Sequence, residues 1–221
     1  MTASVSSGAV VVDGLTVRYG AHTVLDGVDL NLPVGMAVAL VGENGVGKST
    51  LLRCVAGLQV PAAGRVLVFG DVPGRSVEFW RDVATTVESP SWYHGLTVRE
   101  HLELVRIANG VDPNDGWIER ICTEFGIDEL DDSVPGTLSS GQRQRFLLTA
   151  VFVRPSRLLL LDEPEQRLDR TAKRALAAHL RAYVASGGTL LMASHDREFL
   201  VNVGCRAVTV TRSGQLAAAH E

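Results

Sequence analysis

The sequence has no uninterrupted apolar stretch near the roughly 20 residues that a membrane-spanning helix needs. Its longest runs, Met36 to Val41 and Leu158 to Leu161, are of strand length, so the chain is not expected to cross a bilayer by itself. It also lacks an excess of positive charge. Lys and Arg number 21 against 25 Asp and Glu, a formal net charge of −4, which offers no basic field to hold nucleic acid or an anionic membrane surface. Direct nucleic-acid binding is therefore not expected. Cysteine is scarce: Cys54, Cys122 and Cys205 are widely spaced, which gives no support to a disulfide framework or a zinc site. Met1 to Gly8 has neither a basic cluster nor an apolar core, so it reads as a short flexible lead and not a signal peptide, with the cytoplasm as the expected location. Internal repeats and low-complexity segments are missing too. What is present is 221 residues with 46% hydrophobic and 21% charged side chains, the composition of a globular core and not of a disordered chain.

Val10 to Tyr19 and Thr23 to Leu32 alternate apolar and polar residues across Gly20, Ala21 and His22, the pattern of paired strands. Met36 to Val41 is apolar throughout, which suits a strand covered on both faces. A helix is predicted from near Lys48 towards Gly57, then a strand at Arg65 to Phe69, a short helix at Ser76 to Asp82 and a strand at Val83 to Val87. From about Thr97 to Val153 the chain reads as helical. Thr97 and Glu100 have capping-box spacing ahead of Leu102, Val105 and Ile107; Ile118, Ile121, Cys122 and Phe125 make a second stripe closed by Gly126; a third helix spans about Ser140 to Phe152. Arg157 to Leu161 and Gly188 to Ala193 return to buried strands, with an amphipathic helix at Thr171 to Ala185 between them. Alternating strands and helices favour a parallel α/β sheet interrupted by an inserted helical subdomain.

The segment Gly42-Glu43-Asn44-Gly45-Val46-Gly47-Lys48-Ser49-Thr50 fulfils G-x-x-x-x-G-K-[ST] between a buried strand and a helix. Glycines let successive backbone N–H groups turn towards phosphate oxygens, and the helix N-terminus adds the positive end of its dipole. Lys48 reaches the β and γ phosphates and Ser49 can ligate Mg²⁺. The competing reading, a glycine-rich turn with a solvated lysine, loses weight in this strand-to-helix context. Further on, Leu158 to Leu161 run into Asp162 and Glu163. At the end of a buried strand Asp162 is placed to meet the metal and Glu163 to orient the attacking water. Alone, this is equally a strand followed by a solvated turn; the phosphate loop is what favours the catalytic reading.

Leu138-Ser139-Ser140-Gly141-Gln142-Arg143-Gln144-Arg145 resembles the signature of the ATP-binding cassette (ABC) ATPase family, usually L-S-G-G-Q, with Ser140 in place of the first glycine. Small residues at a helix start offer hydroxyl and backbone donors to an anion, although an ordinary N-cap has the same composition. The resemblance runs from about Val10 to Arg212. It implies a P-loop NTPase (RecA-like) parallel-sheet core with an N-terminal antiparallel β subdomain and an inserted α-helical subdomain. The implied single domain, 1–221, divides into 1–87 with 154–221 for the β subdomain and nucleotide-binding core, and 88–153 for the helical subdomain with the signature. Tyr19 matches the aromatic residue that stacks on adenine, Leu168-Asp169 the end of the D-loop, and Ser194-His195 the loop whose histidine contacts the γ-phosphate. His195 is the only one of six histidines assigned a role.

Two departures from the family matter. Val87-Glu88-Ser89-Pro90-Ser91-Trp92-Tyr93 places Glu88 where glutamine is usual, and this glutamate resembles the ATPases of lantibiotic and bacitracin-type peptide-antibiotic exporters. Glu88 can still approach Mg²⁺ or the attacking water, with its negative charge altering that contact. Glu165-Gln166-Arg167 stands where D-loops carry small or polar residues; Arg167 reads equally as a cross-dimer ion-pair partner or a solvated side chain.

The resemblance implies ATP and Mg²⁺ as cofactors and a nucleotide sandwiched between the phosphate loop of one subunit and the signature of another. The chain would homodimerise on ATP or pair with a similar ATPase subunit. Glu163, His195 and Lys48 would carry catalysis, with Ser49, Asp162 and Glu88 around the metal. The leading expectation is the ATPase subunit of an ABC transporter, held at the cytoplasmic face by separate transmembrane permease subunits, with export of a drug or antimicrobial peptide as the finer expectation. The region Glu88 to Leu102 is the expected docking surface, where Trp92, Tyr93 and Leu96 are either anchors or local core. The rival is a soluble ABC-F-like ATPase acting on the ribosome, which Ser194-His195-Asp196-Arg197-Glu198-Phe199-Leu200 resembles; such proteins typically carry two cassettes in one chain.

Overall fold

The computed structural model describes residues 8–87 and 92–218. In chain order it forms β1 (Gly8–Tyr19), β2 (His22–Pro33), β3 (Ala37–Val41), α1 (Lys48–Val55), β4 (Ala63–Val68), α2 (Val77–Asp82) and β5 (Val83–Thr85). Three helices follow, α3 (Val98–Ala108), α4 (Trp117–Phe125) and α5 (Ser140–Phe152). The chain then returns through β6 (Leu158–Asp162), α6 (Arg170–Ala185), β7 (Thr189–Ala193), α7 (Arg197–Val203), β8 (Arg206–Val210) and β9 (Leu216–Ala218). Among the described residues no helix is long and apolar enough to cross a membrane.

The strands make two sheets. β2, β1 and β4 form an antiparallel sheet in that order, and β5-β6-β7-β3-β8-β9 form a second sheet that is parallel except for β9. The apolar runs earn their uniformity from the central strands' position between two cores. Ala37 and Ala39 of β3, Leu159 and Leu161 of β6, and Leu190 and Met192 of β7 face one core with the helices α3, α4, α5 and α6. The alternate residues Val38 and Leu40, Leu158 and Leu160, and Leu191 and Ala193 face the other, shared with the antiparallel sheet and α1. A period of two with both faces buried leaves no polar position along the strand.

β5 ends two residues before the strand expected to reach Val87. Thr86 still donates its N–H to Leu160, but the Val87 N–H turns onto Thr85 Oγ1 at 3.0 Å, a local side-chain bond that competes with the ladder.

In the helical layer the Thr97–Glu100 capping box opens α3 and Gly126, left-handed at φ 61°, closes α4. Arg106 lies within the apolar stripe of α3 yet is buried. Its guanidinium donates to Val153 O at 2.6 Å and to Asp112 O, and pairs with Asp115, so each fork of a planar donor is used. Cys54 and Cys122 are buried thiols; burial pushes Cys54 up to about 11 and Cys122 and Cys205 up to about 12, which leaves all three unreactive.

Candidate functional site

Parallel register brings three strand ends to one level. Leu40 of β3 and Asp162 of β6 both pair with Ala193 of β7, the strand between them. The next residues of each chain segment therefore emerge side by side at the C-terminal edge of the sheet: the loop from Gly42, the pair Asp162-Glu163, and Ser194-His195. Open α/β sheets bind ligands at this edge.

The loop from Gly42 to Gly47 wraps around Lys48, whose buried side chain donates from Nζ to Gly42 O at 2.8 Å and Glu43 O at 2.9 Å. Gly42 is held at φ 144°, where a Cβ would lie 2.6 Å from Val210 O; only glycine lets the loop pass there. Gly47, at φ 107°, precedes α1 without a side-chain cap, leaving backbone donors at the helix start directed at a cavity of about 480 Å³. Asn44, Gly45, Gly47, Lys48, Ser49, Thr50, Asp162, Glu163 and Gln166 line it.

Burial raises the Asp162 carboxyl above its usual range, and the Ser49 hydroxyl, hydrogen-bonded to it, opposes that shift. Thr86 Oγ1 accepts the Asp162 N–H at 3.1 Å. A hydroxyl beside a desolvated carboxylate is an all-oxygen donor set, which fits a hard divalent cation. Glu163 has a left-handed backbone at φ 45°, a conformation uncommon outside glycine. Its Oε2 meets His195 Nδ1 at 2.8 Å, with the Glu163 side chain 16% and the His195 side chain 61% exposed. A carboxylate steadied by an imidazole at the cavity wall can accept a proton from water and present the other ring nitrogen outwards.

The structure thus gathers Lys48, Ser49, Asp162, Glu163 and His195. Other expected residues stand apart. Tyr19 ends β1, half exposed, with its hydroxyl 3.2 Å from Gln59 Oε1. Glu43 pairs on the surface with Arg212 at 2.7 Å, and Val46 packs against the core shared with the antiparallel sheet. Ser139, Ser140, Gly141 and Gln142 start α5 and do not line the phosphate cavity. Ser139 Oγ accepts the Gln142 N–H at 3.3 Å while Gln142 Oε1 accepts the Ser139 N–H at 2.9 Å. Gly141 touches the D-loop: a Cβ there would sit 3.0 Å from Arg167 O. Glu88 lies outside the described residues. Trp92 lines a groove between α5 and β5, with the Arg143 guanidinium 5.3 Å from its ring centre, whereas Tyr93 is exposed.

Sequence reasoning missed Gln166 as a cavity residue and Thr86 as the group that fixes the Asp162 backbone. It read Glu165 as a departure without a role; the structure buries it. A threonine pair, Thr85-Thr86, inside the apolar strand expected at Val83 to Val87 was the available signal for Thr86, and none marked Glu165.

A phosphate-binding loop between strand and helix, with an acidic strand end two strands away and an inserted helical layer, defines a P-loop nucleoside triphosphatase of the cassette kind. The chain belongs to the ABC transporter family, matching it over residues 25–166, and is an ATP-binding ATPase. It is 35% identical over 184 residues to the cytochrome c biogenesis ATP-binding export protein CcmA of Rhodobacter capsulatus, covering 83% of this chain and 79% of that one. To the nickel import ATP-binding protein NikO of the same organism it is 33% identical over 227 residues, covering 93% and 86%. To the SkfA peptide export ATP-binding protein SkfE of Bacillus subtilis it is 33% identical over 198 residues, covering 86% and 81%. A solved ATP-binding subunit of an ABC transporter superposes with a TM-score of 0.84 at 29% identity, covering 95% of this chain and 90% of that one.

Proposed function

We propose that this chain hydrolyses ATP as the motor subunit of a membrane transporter, docked at the cytoplasmic face on separate membrane-spanning subunits. The observation that carries this is the shared level of Leu40, Ala193 and Asp162, which brings the loop from Gly42 and the acidic pair to one cavity and His195 against Glu163. Backbone N–H groups from Gly42 to Thr50 and the Lys48 ammonium bind the phosphates, and Tyr19 stacks on the adenine. Ser49 and Asp162 hold Mg²⁺, with Glu88 near it; the ion, when bound, neutralises charge on the β and γ phosphates. Glu163 accepts the hydrogen bond of the attacking water, and His195 holds Glu163 through Nδ1 while Nε2 faces the γ-phosphate.

Ser139, Ser140, Gly141 and Gln142 act on the nucleotide of a second ATPase subunit, so the working unit is a dimer that closes on ATP. Residues 88–153 serve as the helical subdomain, and the groove at Trp92 receives the membrane subunit. For cargo, export of an antimicrobial-peptide type of compound is supported by Glu88 and by the likeness to SkfE. The likeness to NikO favours import as the second reading; inside-out vesicles carrying the whole transporter separate the two, since ATP drives cargo into them only for an exporter.

Glu163→Gln tests the site. Hydrolysis is expected to fall about a hundredfold with ATP binding retained and an ATP-dependent dimer visible by light scattering. Turnover at the parent rate, or a monomer with ATP bound, overturns the reading. Affinity capture from detergent-solubilised membranes is expected to recover a multi-spanning partner; co-sedimentation with ribosomes in its place would favour the ribosomal alternative.

A further inference from the structure

Glu165 is only 2% exposed, two residues beyond Glu163 in the turn that follows β6. The turn is held from α5, where Gln144 Nε2 donates to Pro164 O at 3.0 Å. Ser194 Oγ donates to Glu165 Oε1 in a close contact. Glu165 Oε2 is buried and receives no donor among the described residues. An ionised carboxylate with one oxygen buried and unserved is costly.

The neighbours of that oxygen resolve the cost. Glu163, Glu165 and His195 each place one polar atom within 4.8 Å of the others, which brings the Glu163 and Glu165 carboxyl groups near enough to share a hydrogen bond. Two carboxylates are both acceptors, so such a bond exists only when one carries a proton. Glu165 is the more deeply buried of the two. Burial pushes its pKa up, the Ser194 hydroxyl opposes that only in part, and the charge of Glu163 adds to the rise.

We propose that Glu165 is a positioning residue for hydrolysis: as the neutral acid it takes the Ser194 hydroxyl on Oε1 and donates its own hydrogen to the Glu163 carboxylate. This rests on the reading of Glu163 as the group that orients water. Glu163 is then held from two sides, by His195 and by Glu165. That two-sided hold sustains a left-handed backbone at a residue with a side chain. It also ties the D-loop to the histidine loop through Ser194, so movement of either reorients the hydrolytic carboxylate.

The charged groups around Glu165 are Glu163 on its own turn, His195 and Asp196 after β7, and Lys173 on α6; α5 presents the uncharged Gln144. Lys173 pairs with Asp196 at 2.7 Å. As pH rises and Glu165 loses its proton, donation to Glu163 is replaced by repulsion between adjacent carboxylates. Turnover therefore falls as pH rises through the raised pKa of Glu165.

Steady-state ATPase profiles of the full chain across the pH range in which it stays folded test this. Glu165→Gln mimics the neutral acid: its amide carbonyl accepts from Ser194 and its NH₂ donates to Glu163 at every pH. It is expected to keep kcat within about twofold of the parent's maximum and to lose the decline with rising pH. Glu165→Leu is expected to lower kcat about tenfold with KM for ATP unchanged. If the leucine variant does not fold, the glutamine profile decides alone. A glutamine variant that keeps the parent's decline with rising pH, or that is about tenfold slower than the parent's maximum, overturns the proposal. Glu163→Gln is run alongside: if it is inactive while Glu165→Gln keeps the parent profile, only the positioning role fails. If Glu163→Gln turns over normally, the reading of the site fails with it.

Discussion

Two helices in this chain start on short, small-residue sequences and satisfy their first backbone donors in opposite ways. α1 begins after Gly47, in a left-handed conformation and with no side-chain cap, so its donors face the phosphate cavity. α5 begins after Ser139 with a full capping box, each partner bonding the other's backbone N–H. The first four N–H groups of a helix need a partner from outside the helix. α1 leaves that need to an anion, and α5 meets much of it alone. A motif rich in glycine and serine is thus not one physical object: one is a cradle completed by ligand, the other a folded surface complete before any ligand arrives.

The strongest way to break this contrast is at Lys48. Its ammonium donates to Gly42 O and Glu43 O, holding the loop curled around the place where phosphates belong. Lys48→Ala removes that brace and the charge facing the phosphates. ATP hydrolysis is expected to fall about a thousandfold and nucleotide affinity about a hundredfold, measured by phosphate release and by titration with a fluorescent ATP analogue. Retained activity in a contaminant-free preparation would mean that the cradle is not where ATP reacts.

Gly141→Ala sharpens the comparison from the other side. The added methyl would sit 3.0 Å from Arg167 O, and Arg167 has its own left-handed backbone at φ 64°, so the D-loop has to give by a few tenths of an ångström. Small displacements of reacting groups cost rate steeply. Turnover is expected to fall about tenfold with the affinity for ATP of the isolated subunit unchanged. Equal loss of affinity would show that the α5 start belongs to the same cavity as the phosphate loop.

How far these differences could be seen beforehand varies by residue. The central strands were legible because Leu158 to Leu161 and Met36 to Val41 have no polar position, and a strand buried on both faces needs none. The phosphate loop and the acidic strand end were legible as a pair, since each alone has an ordinary explanation. β4 was legible as a strand but not as a member of the antiparallel sheet, because alternation reports a half-buried face and not its neighbour. The α5 start was read as anion-binding and as an N-cap at once, and the capping box is what the structure displays. Glu165 was illegible: a carboxylate just past a strand end ordinarily reaches solvent, and its burial depends on Pro164, Gln144 and Ser194, which come from three separate parts of the chain.

The smallest effect is expected at Ser139, where the contrast between the two helix starts is most local. Ser139→Ala deletes the hydroxyl that accepts the Gln142 N–H at 3.3 Å and leaves Gln142 Oε1 still able to accept from the residue-139 backbone. Half the capping box survives, so the loss of stability is about 1 kcal/mol, or roughly 2 to 4 °C in Tm for a chain of this size, read by thermal unfolding without nucleotide. If the serine hydroxyl also serves a partner's nucleotide, the same variant lowers ATPase activity at high protein concentration, where dimers form, by more than that stability loss explains. An unchanged Tm together with a lowered rate would show that the box contributes little to the fold, and that the start of α5, like that of α1, is held open for a ligand.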